Sequence, residues 1–320
     1  MNLFSLNSRR VFSLLLMIFP GTCLVLPLNA GGEEIESVET FRVATYNVYN
    51  YLVMDRRIDE RWSPAFPKPE EEKTALRAII RKVNPDVLAL QEMGDDPFLR
   101  ELQQDLQRDG VDYPYRFVLE KENEVRQLAF LSRLKPVAVR GHLDLDFAYR
   151  DGREEVKRGL LEVDFAFPDE TIWTLYIVHL KSKWTEHADD PEAAIRRTRE
   201  AESIRNFILD HKDPTNDRFM IAGDVNDLLH SAPLRRLLQR GAVTISTPLP
   251  AVDSNGYTWT QRWTRAALYS RIDYLLVSPA MEPHAVPGSA RVFNGKGWDV
   301  ASDHRMVYAD FRVSPDRELP

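Results

Sequence analysis

The chain has 320 residues, of which 43% are hydrophobic and 28% charged, and its formal net charge is −7. This composition excludes a disordered chain, a collagen-like repeat and a multi-span membrane protein, and it predicts a sizeable buried core. The acidic balance argues against tight, sequence-specific DNA binding, which normally requires a basic stripe, but it leaves transient cleavage open.

Arg9 and Arg10 precede an uncharged run from Val11 to Leu28, which ends in Leu28-Asn29-Ala30. A basic start, an apolar stretch and a small-residue end predict a secretory signal peptide over residues 1–30. The run is long enough to serve as an uncleaved membrane anchor, but Pro20, Gly21 and Pro27 inside it favour cleavage. The single cysteine, Cys23, falls in this segment, so the processed chain has neither disulfides nor thiolate metal ligands. Cleavage removes two arginines and no acid, which moves the net charge from −7 to −9. The expected location is secreted or periplasmic, without stable membrane insertion. Residues 31–40 read as an acidic leader, and residues 41–315 as a single mixed α/β domain, expected to be monomeric.

Phe41 to Val48 alternates apolar and polar residues, as a strand does, and a loop rich in Pro, Trp and charge follows from Tyr51 to Pro69. Leu76, Ile79, Ile80 and Val83 lie at helical spacing within 70–83, and Asn84-Pro85-Asp86 ends that helix. Val87 to Leu90 is a short buried strand, 97–108 a helix closed by Gly110, and strands follow near 115–119, 128–131, 156–165 and 173–178. A long helix is expected over 191–211, a strand over 219–222, a short helix over 234–238, and final strands over 272–277 and 306–313. No internal repeat, low-complexity tract or linker interrupts the sequence after Glu39.

Many of these strands end in oxygen- or imidazole-bearing residues: Asn47, Gln91-Glu92, His179, Gly223-Asp224-Val225-Asn226-Asp227, Asp273 and Ser302-Asp303-His304. Strand ends are where a rigid sheet presents reactive groups to one crevice. Each residue also has a plainer account. Glu92 caps a turn, Asn47 bonds nearby backbone, His179 is a satisfied core histidine, and Asp224 and Asn226 shape a turn after Gly223. Asp273 pairs with Arg271, and Asp303 caps a local turn.

Taken in order, Asn47, Gln91-Glu92, His179-Leu180-Lys181-Ser182, Gly223-Asp224-Val225-Asn226, Arg271-Ile272-Asp273-Tyr274 and Ser302-Asp303-His304 resemble the motif series of the endonuclease/exonuclease/phosphatase superfamily. Deoxyribonuclease I belongs to this superfamily. The resemblance spans nearly the whole processed chain, and a full set in this order rarely arises by chance. Val225 stands where the family often has Phe, and Arg305-Met306 where a Pro-containing pair is common; neither replaces a reacting group.

The resemblance implies a deoxyribonuclease I-like four-layer sandwich, with two packed mixed β-sheets flanked by helices. It further implies that Asp224 orients or deprotonates the attacking water, while Asn226 donates hydrogen bonds to the phosphate. His304, held by Asp273, moves protons at the phosphate, and His179 is a second imidazole near the leaving oxygen. Glu92 is the carboxylate best suited to hold Mg²⁺ or Mn²⁺, with Asn47 and Asp303 as further ligands, since oxygen donors select such ions over zinc. Tyr115, Glu122 and Glu124 are unranked candidates for holding the phosphate or a histidine.

Other chemistries fit less well, since the sequence has no His-Glu-x-x-His, no Gly-x-Ser-x-Gly and no phosphate loop with its Ser or Thr. The leading expectation is phosphodiester hydrolysis by a nuclease. Arg158, Lys181, Lys183 and Arg271 lie beside the motif strands and are candidates to contact a polyanionic substrate, Arg158, Lys181 and Arg271 foremost, and Tyr257, Trp259 and Trp263 are available to stack on a base, although ordinary packing is the simpler account of these aromatics. The alternatives are a phosphatase or phospholipase acting on a sugar phosphate, inositol phosphate or sphingomyelin, and an inactive relative that binds a partner.

Overall fold

The alternating pattern of Phe41 to Val48 sets its odd residues into one layer and its even residues into another. Phe41 and Val43 join a core between two sheets, whereas Ala44, Tyr46 and Val48 face a helical layer. The structure is a computed structural model that describes residues 40–58 and 60–314. The expected signal peptide, and all of the expected leader except Thr40, lie outside the described residues.

Two six-stranded sheets face each other. The first runs in the order 291–292, 307–312, 40–51, 87–93, 127–132, 115–119, and the second 247–248, 273–277, 218–224, 172–179, 160–166, 138–142. Each sheet has one parallel pair, Thr40–Tyr51 with Val87–Met93 and Ile172–His179 with Arg218–Asp224; the other pairings are antiparallel. The inner faces share a core that includes Val87, Phe130, Leu175, Ala222 and Phe311.

Helices α1 (Glu70–Val83), α2 (Asp96–Arg108) and α5 (Trp298–Ala301) lie on the outer face of the first sheet. α1 buries Leu76, Ile79, Ile80 and Val83 as one stripe, begins with Glu70, Glu71 and Glu72, and ends with Arg81 and Lys82, as the helix dipole favours. Asn84 then turns left-handed and returns its N–H to the Ile80 carbonyl. Each buried leucine or isoleucine in such a stripe contributes about 1.5–3 kcal/mol. Helices α3 (Ala194–His211) and α4 (Ala232–Leu238) cover the second sheet with Ala201, Ile204, Ile208, Leu234 and Leu237. The result is the expected four-layer sandwich of two mixed sheets flanked by helices.

Three local expectations differ from what the structure shows. The expected loop 51–69 contains a hairpin, Met54–Ile58 with Arg61–Phe66, held at its base by Arg56, whose Nε donates to Phe66 O and Nη2 to Leu52 O. The strand expected from Val156 starts only at Leu160, because Gly159 turns the chain with φ +69°, where a Cβ would meet the His142 carbonyl oxygen at 2.7 Å. The long helix expected from Pro191 is α-helical only from Ala194, with Glu192 and Ala193 both in the left-handed region. Among the described residues, no helix is long and apolar enough to cross a membrane.

Candidate active site

In each parallel pair the two strands end at the same edge of the sandwich, and their antiparallel neighbours begin there. Register places Asn47 beside Gln91, His179 beside Asp224, and Asp224 beside Asp273, while His304 directly precedes the strand Val307–Arg312. Gly223 allows the close approach of the two central strands. Its φ is +148°, and a Cβ there would lie 1.9 Å from the Val178 carbonyl oxygen.

Asp224 is the hub. Its Oδ2 accepts from Asn47 Nδ2 at 3.1 Å and lies 3.5 Å from His179 Nε2 and 3.8 Å from His304 Nε2. Its Oδ1 accepts from the Asn226 N–H at 2.8 Å, while the Asn226 side chain donates to Leu180 O at 2.9 Å. Burial first, and the charge of Asp273 second, push the Asp224 carboxyl up to about 7.

His304 Nδ1 lies 2.9 Å from Asp273 Oδ2, which also accepts from Thr260 Oγ1 at 2.6 Å. Burial opposes a charged His304, but the carboxylates of Asp273, Asp303 and Asp224 outweigh it and hold the imidazole well above the usual histidine range. His179 has the opposite balance. Burial, then the charges of Arg158 and His304, push it well below that range, so it is neutral. One carboxylate therefore faces two imidazoles of unlike charge. Ser302 fixes the His304 loop against the first sheet, donating from Oγ to Asn47 O at 2.8 Å and accepting from the His304 N–H at 3.0 Å.

The ligand atoms of Asp224, Asp273 and His304 all lie within 4.8 Å of one another, close enough to enclose a cation. The His304 ring, however, has its Nδ1 committed to Asp273 and its Nε2 facing the carboxylates of Asp224 and Asp303, so this trio is better suited to handling protons. The hard-oxygen donors beside it suit a divalent ion better. Asp303 keeps 30% of its side chain exposed, yet among the described residues its Oδ1 is enclosed with no hydrogen bond and only His304 Nε2, 4.0 Å away, as a counter-charge. Burial, reinforced by the negative charges of Glu92 and Asp273, raises its pKa against the pull of His304, which is the imbalance a cation relieves. Glu92 gives one oxygen to the Asn50 N–H at 3.0 Å. Asn47 Oδ1 accepts from Tyr49 N at 3.0 Å and retains a second lone pair. Tyr49, Asn50, Glu92 and Asn226 all have positive φ, a conformation that costs about 1–2 kcal/mol per residue and is offset here by these bonds.

The cations expected to meet substrate are largely committed elsewhere. Arg158 is buried and donates from Nη1 to Leu180 O at 3.0 Å. Lys181 Nζ donates to Ser182 O at 3.0 Å and also to Trp184 O. Arg271 Nη2 donates to Leu249 O at 2.7 Å, with its guanidinium over the Tyr274 ring. Of the aromatics, Trp259 packs against Tyr269, Trp298 and Arg305 as the plainer account holds, whereas Tyr257 and Trp263 are exposed. The unranked Glu124 faces Lys157 and Arg158, at 3.1 and 3.8 Å. Residues that the motifs do not include also stand at the site, namely Asn50, Thr260 and Arg126, with the buried Lys68 next to it, donating from Nζ to Tyr49 O. None of these residues was marked by the sequence, because what brings each of them to the site is contact across the fold.

The signature of the Endonuclease/Exonuclease/phosphatase family matches residues 44–304. No curated protein matches the chain by sequence. Among solved structures, sphingomyelinase C from Streptomyces griseocarneus is similar, with 19% identity over 86% of this chain and 100% of that one and a TM-score of 0.59. The human nocturnin catalytic domain with bound sulfate is 16% identical over 85% and 94% of the two chains, with a TM-score of 0.57. An endonuclease/exonuclease/phosphatase from Beutenbergia cavernae DSM 12333 is 21% identical over 85% and 71%, with a TM-score of 0.58. At such identities these likenesses establish the fold.

Proposed function

The chain belongs to the endonuclease/exonuclease/phosphatase family, hydrolases of phosphate esters, and from that premise we propose that it cleaves phosphodiesters as a secreted or periplasmic nuclease. The catalytic domain is assigned to residues 41–315. The observation that carries the reading is the Asp224 carboxylate set between a neutral His179 and a charged His304, 3.5 and 3.8 Å away.

Asp224 orients the attacking water and takes its proton, which a carboxylate with a pKa raised to about 7 does more readily than an ordinary one. His304, kept protonated by Asp273, donates to the phosphate region, and the leaving alkoxide needs such a donor. Asn47 and Asn226 hold Asp224 in place from two sides. Glu92, Asp303 and Asn47 would hold Mg²⁺ or Mn²⁺, which supplies charge neutralisation at the phosphoryl oxygens.

A diester carries one negative charge at its phosphate, and a monoester up to two. Arg158, Lys181 and Arg271 donate to backbone carbonyls, so fewer of their N–H groups are left to bind phosphate oxygens, in keeping with the smaller demand. Exposed Trp184 follows the strand ending in His179, and exposed Tyr257 and Trp263 flank Thr260, positions suited to stacking on bases.

Incubating the purified protein with supercoiled plasmid and Mg²⁺, with and without EDTA, tests this reading. EDTA-sensitive nicking is the expected result. Hydrolysis of sphingomyelin or phosphomonoesters with an intact plasmid would move the assignment to a phospholipase or phosphatase.

A further inference from the structure

Arg126 stands in the turn before the strand Gln127–Ser132, outside every motif read from the sequence. Its Nε donates to Asn50 Oδ1 at 2.7 Å and lies 3.8 Å from Glu92 Oε2, the oxygen that accepts the Asn50 N–H. Its own N–H donates to Glu124 Oε1 at 3.1 Å, and Glu124 is held by Lys157, so the turn is anchored at both ends. The guanidinium thus stands on the Glu92 side of the crevice, and its charge also disfavours protonation of His179. About a third of the side chain is exposed, and among the described residues its Nη1 and Nη2 meet no acceptor.

We infer that Arg126 binds a non-bridging oxygen of the substrate phosphate through its two terminal nitrogens and fixes the phosphate between Glu92 and His179. The inference rests on the phosphoester reading above and adds to it the residue that holds the anion. A guanidinium presents a planar fork that matches phosphate oxygens, and one already tethered at Nε loses little freedom when the fork is filled. Arg158, by contrast, is buried and has turned its Nη1 to the chain. Arg56 has likewise given Nη2 to Leu52 O and Nε to Phe66 O.

The competing account is that Arg126 only props Asn50 and Glu92. Two binding measurements separate the accounts: inorganic phosphate titrated calorimetrically into the Mn²⁺-loaded protein, and Mn²⁺ affinity followed by electron paramagnetic resonance. For Arg126→Gln, phosphate affinity is expected to fall by about tenfold or more, the cost of losing a charged hydrogen-bond pair. Mn²⁺ affinity should stay the same or rise, because a positive charge beside Glu92 has gone. Arg126→Lys keeps the charge without the fork, so it should fall between the two and carries the test if the glutamine variant does not fold. Unchanged phosphate affinity in both variants, no phosphate binding by the wild type, or a parallel loss of phosphate and Mn²⁺ would each overturn the inference. Phosphate binding that depends on Arg126 in a protein that hydrolyses no phosphoester would uphold it while removing the proposed function.

Discussion

The side-chain amide of Asn47 donates to Asp224 Oδ2 at 3.1 Å, joining strand ends in different sheets that lie 177 residues apart in the chain. The bond crosses the seam between the two halves of the sandwich where the reacting groups gather. Catalytic geometry here therefore depends on how the sheets pack, and the predictions below probe that dependence from different sides.

Asp224→Ala removes the hub. Loss of general-base chemistry from a positioned group is worth roughly 10²–10⁴ in rate, and turnover on plasmid should fall within that range or below detection. The group is a buried carboxylate with a raised pKa, so its removal should leave the melting temperature near that of the wild type above neutral pH. Retained wild-type activity would remove Asp224 from the mechanism.

Asp273→Asn tests the hold on His304. The raised pKa of His304 keeps it protonated at every pH below that value, and activity that needs the imidazolium is lost as pH climbs through it. The asparagine lacks the charge that lifts the imidazole, so the alkaline limb of the kcat profile should move to lower pH. Loss of an orienting partner of this kind typically costs about 10–100-fold, and it should fall on kcat rather than KM. An alkaline limb that stays in place would show that His304 does not set it.

Glu92→Gln should weaken Mn²⁺ binding by about tenfold or more, since a hard cation loses an anionic ligand. Excess metal should restore part of the activity. Equal Mn²⁺ affinity in the variant and the wild type, measured by calorimetry, would take Glu92 out of the metal site.

Arg305 and Asp253 form an almost fully buried ion pair at 2.8 Å, with Arg305 stacked on Trp259 directly behind the His304 loop. Breaking such a pair from one side leaves an uncompensated charge and costs about 3–5 kcal/mol. Asp253→Ala should therefore unfold at clearly lower urea concentration. A midpoint equal to that of the wild type would mean that the pair is neutral to stability.

Several elements were legible one residue at a time. The stripe Leu76, Ile79, Ile80 and Val83 lies at the spacing of a single helix face, and that face is buried as read. The strands 40–51, 87–93 and 218–224 announced themselves by alternation or by unbroken apolar runs, because side-chain direction repeats every two residues. The hairpin 54–66 did not. Pro64 and the charged residues of that stretch hide a strand period, and its base is held by bonds from Arg56 to Phe66 O and Leu52 O.

Asn47, Asp224 and His304 could be singled out from sequence because polar groups at the ends of buried strands are costly unless they are used, a cost written into local order. Which of them touch, and with what charge, is a different kind of fact. The protonated state of His304, the neutral state of His179, the diversion of Arg158 and Lys181 to carbonyls and the open fork of Arg126 all arise from distances of a few ångström between residues far apart in the chain. Hydrophobic periodicity is local and survives in the linear sequence, whereas electrostatic pairing falls off over a few ångström and exists only once the two sheets have packed.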